Sequence, residues 1–143
     1  MTVALRAHHL LCLLTYVGKG YNPAFVRNFD GLARRLAGGE DIVLVDGPDD
    51  VCAPLCESEG ACAHCHRSSV QVRDQRAGQE LAALLVETVG VDSRLRLDAS
   101  LLARLRAAYA SRNIRGACAG CEWADLCDGV ASAGYEGVRL SMP

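Results

Sequence analysis

Between residues 4 and 17, Leu10, Leu11, Leu13, Leu14 and Val17 recur on a helical period, which predicts a first helix with His8, His9 and Cys12 on it or at its start. The run stops at Gly18-Lys19-Gly20. Asn22 before Pro23 is an N-cap and first-turn pair, and Phe25, Val26, Phe29, Leu32, Ala33 and Leu36 then trace the apolar stripe of a second helix that ends at Gly38-Gly39. Asp41 to Val45, DIVLV, reads as a short strand closed by the turn residues Asp46-Gly47-Pro48-Asp49-Asp50. A third helix is expected from Gln75 to Val89. A fourth, capped by Asp98 or Ser100, runs through Leu101, Leu102, Leu105, Ala108 and Tyr109.

Two stretches have no apolar period, Cys52–Cys65 with Pro54 and Gly60 inside it, and the loop Cys118–Cys127. Both read as loops folded around something other than their own side chains. After Cys127 the Gly-rich tail DGVASAGYEGVRLSMP is weakly patterned, either mobile or laid over a site. No internal repeat or linker divides the chain. The expected architecture is therefore one α+β, helix-rich domain over residues 1–143, with about four helices, one or two short strands and two cysteine-rich metal-binding loops.

Composition changes this picture in two ways. Half of the residues are hydrophobic, enough for a core that does not depend on the cysteines. The formal net charge of -2, with Lys19 the single lysine against fourteen arginines, disfavours nucleic acid and anionic membranes as partners. The apolar opening is not read as a signal peptide, because His8 and His9 interrupt it and no small-residue cleavage site follows; it is also too short to span a bilayer. Without an export signal, the eight cysteines read as reduced thiolates of a cytoplasmic protein rather than as four disulfides.

Cys118, Cys121 and Cys127 in CAGCEWADLC form a CxxC followed after five residues by a third cysteine. Such a loop can present three thiolates to one face of a metal centre and leaves a position for a fourth. Gly116 and Gly120 permit close backbone approach, Trp123 can shield the centre from water, and Arg115 can offset a cluster's negative charge. The expected cofactor is an iron–sulfur cluster, 4Fe–4S in type, one or two per chain.

Two partitions of the thiols compete. In one, Cys118, Cys121 and Cys127 take Cys12 or one of Cys52, Cys56, Cys62 and Cys65 as a remote fourth ligand of a single cluster; in the other, Cys52, Cys56, Cys62 and Cys65 hold one centre while Cys12 joins the last three in another. Zinc is the alternative, with Cys62–Cys65 and Cys118–Cys121 as two CxxC pairs, although that leaves Cys52, Cys56 and Cys127 idle. Cys12, set among leucines, also suits an inert core thiol. His8 and His9 read either as a ligand or proton donor beside the centre, with at most one serving it, or as a hydrogen-bonded histidine at a helix start, the weightier reading, while His64 and His66 flanking Cys65 read as exposed. Arg104, Arg106, Arg112 and Arg115 read as a solvated helix face.

No phosphate-cradling Gly-rich motif, GxSxG or HExxH is present. The radical-type CxxxCxxC fails too, because five residues rather than two follow Cys56 before the next cysteine. No reaction is assigned. The expected roles are electron transfer with a protein redox partner, a cluster-based redox sensor, or a structural zinc module.

The final cysteine spacing is similar to that of WhiB-like sensors and of the iron–sulfur staple in some nucleases, as a coordination device only. Taken together, RAHHLLCLLTYVGKGYNPAFVRNFD, DGPDDVCAPLC and CAGCEWADLC resemble domain of unknown function family 1284, short bacterial and archaeal proteins suspected of binding iron–sulfur. By matching position the resemblance implicates His8, His9 and Cys12, then Cys52, Cys56 and Cys65, then Cys118, Cys121, Trp123 and Cys127. Cys62 is the least typical of the eight.

Overall fold

The computed structural model describes residues 2–19, 23–46, 49–51, 68–85, 92–118 and 123–141. Cys52, Cys56, Cys62, Cys65 and Cys121, with His64 and His66, lie outside them. Element order is β1 Thr2–Arg6, α1 Ala7–Thr15, α2 Pro23–Ala37, β2 Asp41–Val45, α3 Ser68–Leu85, β3 Arg94–Arg96, α4 Ala99–Ala110, a 3-10 turn Gly116–Cys118 and α5 Ala124–Ser132. This is a small α+β domain. Among the described residues it has five helices and a three-stranded sheet ordered β1-β2-β3, β1 running parallel to β2 and β3 antiparallel to it.

The expected first helix is shorter than its apolar run. Thr2–Arg6 is instead a strand, in register Val3↔Ile42 and Leu5↔Leu44 with β2, and it passes directly into α1 at Ala7. An apolar run of this length suits either element, and the DIVLV strand, the expected one, offers it an unpaired edge. On both strands one face is buried, with Val3 and Leu5 beside Ile42 and Leu44.

α1 is the centre of the molecule. Leu10, Leu11, Leu13 and Leu14 are all at most 1 % exposed, and the helix touches α3, α4 and α5. A helix apolar nearly all round is one that neighbours enclose. His8, His9 and Cys12 are its partly exposed positions, so its accessible face is a line of chemistry-bearing side chains.

α2 runs as expected, packing Phe25, Phe29, Leu32, Ala33 and Leu36 inward. Tyr16, just past α1, stacks on Phe29 with ring centroids 4.1 Å apart, and its hydroxyl donates to the Val26 carbonyl and to Asp30. α3 begins seven residues before its expected start; Ala77 and Leu81, both fully buried, dock it on α1. Asp98 caps α4, its carboxylate accepting from the Leu101 N–H at 2.7 Å. The described part of the tail, to Ser141, is held rather than loose. Leu140 is fully buried, the Tyr135 hydroxyl donates to the Arg106 carbonyl, and the Arg139 N–H donates to the Tyr16 carbonyl. Among the described residues no helix is long and apolar enough to cross a membrane.

At the turn from α2 into β2, Arg35 grips Glu40 with two N–H donors, at 2.8 and 3.2 Å. Its hydrogen bond holds the Glu40 carboxyl below the usual range. The folded state thus binds this proton less readily than the unfolded chain, so the stabilisation is present above about pH 4.5 and is lost as pH falls. Glu40→Gln is expected to flatten the acid limb of the stability curve slightly, less so at high salt because the pair is exposed. Urea midpoints measured from pH 3 to pH 6 check it, and identical acid limbs would refute it.

Candidate functional site

The C-terminal part of α4 and the turn after it build one cluster. Cys118 closes the 3-10 turn and Cys127 lies inside α5, and both are partly buried against the core, as is Cys12. The Tyr109 hydroxyl is 3.7 Å from Cys118 Sγ. Burial first, then the neighbouring Cys127 and Cys118, push the Tyr109 phenol far above its ordinary range, so toward a thiolate it is the proton donor. The Thr15 hydroxyl donates toward Cys127 Sγ at 3.1 Å and lies 3.4 Å from the carbonyl of Cys12, one turn back on α1. Residues more than a hundred positions apart in the chain therefore share one hydroxyl.

Arg115 completes this side. Its guanidinium sits 4.3 Å from the Tyr109 ring centroid and pairs with Asp128 at 2.5 Å, its side chain only 9 % exposed. Burial works against its charge, but Asp128, Tyr109 and Cys118 together hold it charged. It is not part of a solvated face, and neither is Arg106, which donates to the carbonyls of Leu14 and Leu140.

Gly116 allows a close approach, as expected, but the approach is to α3. Its N–H donates to both oxygens of Glu80 at 3.1 Å, and a Cβ there would run into Glu80 and Arg76. This contact sets where the turn bearing Cys118 sits. Because the obstructing atoms belong to flexible side chains, Gly116→Ala is expected to cost only about 0.5–1.5 kcal/mol, the worth of the displaced Glu80 hydrogen bonding, read as a lower urea midpoint. An unchanged midpoint would show that the turn is placed by something else.

At the opposite end of α1 lies a second cluster, larger than the sequence suggested. His8 Nδ1 is 2.5 Å from Asp74 of α3, and His9 Nδ1 is 2.7 Å from Asp49, which follows β2. Arg6, fully buried, joins the two pairs: its Nε donates to Asp74 and its backbone N–H to Asp49, each at 2.7 Å. The Asp49 carboxylate also accepts from the Val51 N–H at 3.1 Å. The expectation of a hydrogen-bonded pair at a helix start holds. One inward ring was expected of the two, yet both are held, at 15 % and 16 % side-chain exposure, because α1 lies between two carboxylates on different elements. Burial pulls the His8 imidazole below its usual value against the opposing hydrogen bond of Asp74.

Sequence reasoning missed Arg6, Asp49, Asp74, Thr15, Glu80 and Tyr109 as participants. Asp49 was legible only as a turn residue, and Asp74 carried no signal, because its role arises where α3 crosses the start of α1. Among the described residues, no group of three or more His, Cys, Asp or Glu side chains is arranged to hold a metal ion. Trp123 stands at the N-terminal boundary of α5, its carbonyl accepting from the Cys127 N–H.

Comparison with known proteins gives one result. No curated protein and no solved structure matches the chain. A family model, described as protein of unknown function (DUF1284), matches residues 20–127, a span that takes in both cysteine-rich stretches and starts after His8, His9 and Cys12. The match covers well over half of the sequence, and on that ground the chain belongs to the DUF1284 family of proteins of unknown function.

Proposed function

We propose that the protein binds an iron–sulfur centre of the 4Fe–4S type and uses it for one-electron exchange with a protein redox partner in the cytoplasm. Cys118, Cys121 and Cys127 are its core ligands. Cys12 or a member of Cys52, Cys56, Cys62 and Cys65 completes the set, and the remaining thiols are available to a second centre. One observation carries the reading: Cys118, beside the Tyr109 hydroxyl, and Cys127 come from different elements, yet both bear on the Tyr109 phenol electrostatically, and Cys127 meets Thr15 on the helix that bears Cys12.

The donor set suits such a centre in kind. Thiols supply the ligation, and two hydroxyls are placed to donate to sulfur, which eases accumulation of negative charge. A charged Arg115 lies against Cys118. When bound, the centre supplies the electron chemistry; the chain's own work is to hold it, limit water at it and set its potential through Thr15, Tyr109 and Arg115.

Anaerobic purification without a metal-binding tag, followed by iron, acid-labile sulfide and zinc analysis beside a visible spectrum, tests the proposal. Near-equal iron and sulfide with a broad visible band is expected, with about four irons for one centre and about eight for two. Zinc at about one per chain without colour would overturn it in favour of a structural zinc module. Disassembly on the first redox cycle would replace electron transfer with a sensor role.

A further inference from the structure

We propose that His8 and His9 form a second, sulfur-free metal site, binding one divalent transition-metal ion of the zinc, cobalt or ferrous class through their Nε2 atoms. A carboxylate can only accept, so the contacts to Asp74 and Asp49 place a proton on Nδ1 of each ring, and in a neutral imidazole the lone pair is then on Nε2. The two rings adjoin, with centroids 4.3 Å apart and planes tilted by 54°. A carboxylate behind each imidazole is the arrangement that fixes tautomer and ring orientation in histidine metal sites and raises ligand basicity. Here it occurs twice, side by side.

Two further observations favour a cation at this place. Among the described residues, two carboxylates, Asp49 and Asp74, stand in this cluster against the guanidinium of Arg6. The cluster also lies beyond the C-terminal ends of the parallel pair: His8 and His9 follow β1, and Asp49 follows β2. In open α/β sheets, ligands are bound outside the carboxyl ends of the strands. With no third ligating side chain gathered there among the described residues, the imidazoles supply two positions and water the others, an open site rather than a sealed structural one. The inference does not depend on the sulfur centre.

The test uses the full chain as purified anaerobically, titrated with Co2+ and read as difference spectra against the same sample before addition, so that absorption by a sulfur centre cancels. Thiolate ligation gives intense near-ultraviolet charge-transfer bands, whereas an imidazole and water site gives weak visible bands alone. One cobalt per chain of the second kind is expected, weakened at least tenfold in His8→Gln and in His9→Gln, which keep a side-chain donor near each carboxylate. Affinity unaffected by the glutamines, or present only as thiolate bands, overturns the site. A readout that needs no variant is imidazole nitrogen NMR of the wild-type chain with Zn2+: shifts at Nε2 of His8 and His9 with Nδ1–H retained support it, and a response confined to His64 and His66 overturns it.

Discussion

Serine at Cys127 is expected to cost the anaerobically prepared protein most of its iron and sulfide, at least a tenfold fall in iron per chain with loss of the visible band. The expectation rests on where Cys127 lies. It projects from α5, partly buried against the core, and receives the Thr15 hydroxyl at 3.1 Å, so the position is built around a sulfur. A serine hydroxyl there keeps the hydrogen bond but is a harder and far weaker ligand for iron than a thiolate. Cys118→Ser is expected to behave alike. Cys12→Ser tests the fourth ligand: a comparable loss makes α1 its source, and full retention leaves Cys12 a packed core thiol and excludes the partition in which it joins the last three. Unchanged iron and sulfide in Cys127→Ser would remove this cluster from the proposal.

Asp49→Ala is the substitution expected to damage the fold most among the polar positions, by about 3–5 kcal/mol, on the scale set by breaking a buried, hydrogen-bonded charge network. The Asp49 side chain is fully buried, and its carboxylate accepts from the Arg6 N–H, the Val51 N–H and His9 Nδ1. Truncation strands those donors where water does not replace the carboxylate. Asp49→Asn should cost less, since its amide oxygen still accepts for part of the set. Urea unfolding of the metal-free chain gives both values, because a bound metal would add its own stabilisation. A cost below about 1 kcal/mol would mean that the network is satisfied without Asp49.

Legibility followed the kind of signal each element carries. α2, β2 and α4 were plain in the sequence, because an amphipathic stripe, a bounded β-branched run and the Asp98 cap are local features that tertiary contacts reinforce. β1 was not, since its apolar residues continue without a break into those of α1. β3 has three residues with Leu95 between two arginines and exists because β2 offers it an edge. The tail looked weakly patterned although Leu140 and Tyr135 anchor it, two contacts spaced along no period.

The candidate sites divide in the same way. The sequence by itself determined the family, the α+β class and the chemical kind of the residues on offer, because cysteine spacing and paired histidines are properties of the chain alone. Which partners those residues meet was decided only by tertiary structure. α3 brings Asp74 to His8 and Glu80 to Gly116, the chain after β2 returns Asp49 to His9 and Arg6, and α5 sets Cys127 against Thr15. These contacts join positions 36 to 112 residues apart, across which no local propensity acts. Burial of the apolar faces around α1 chose them, and the polar groups met because the core had already placed their backbones.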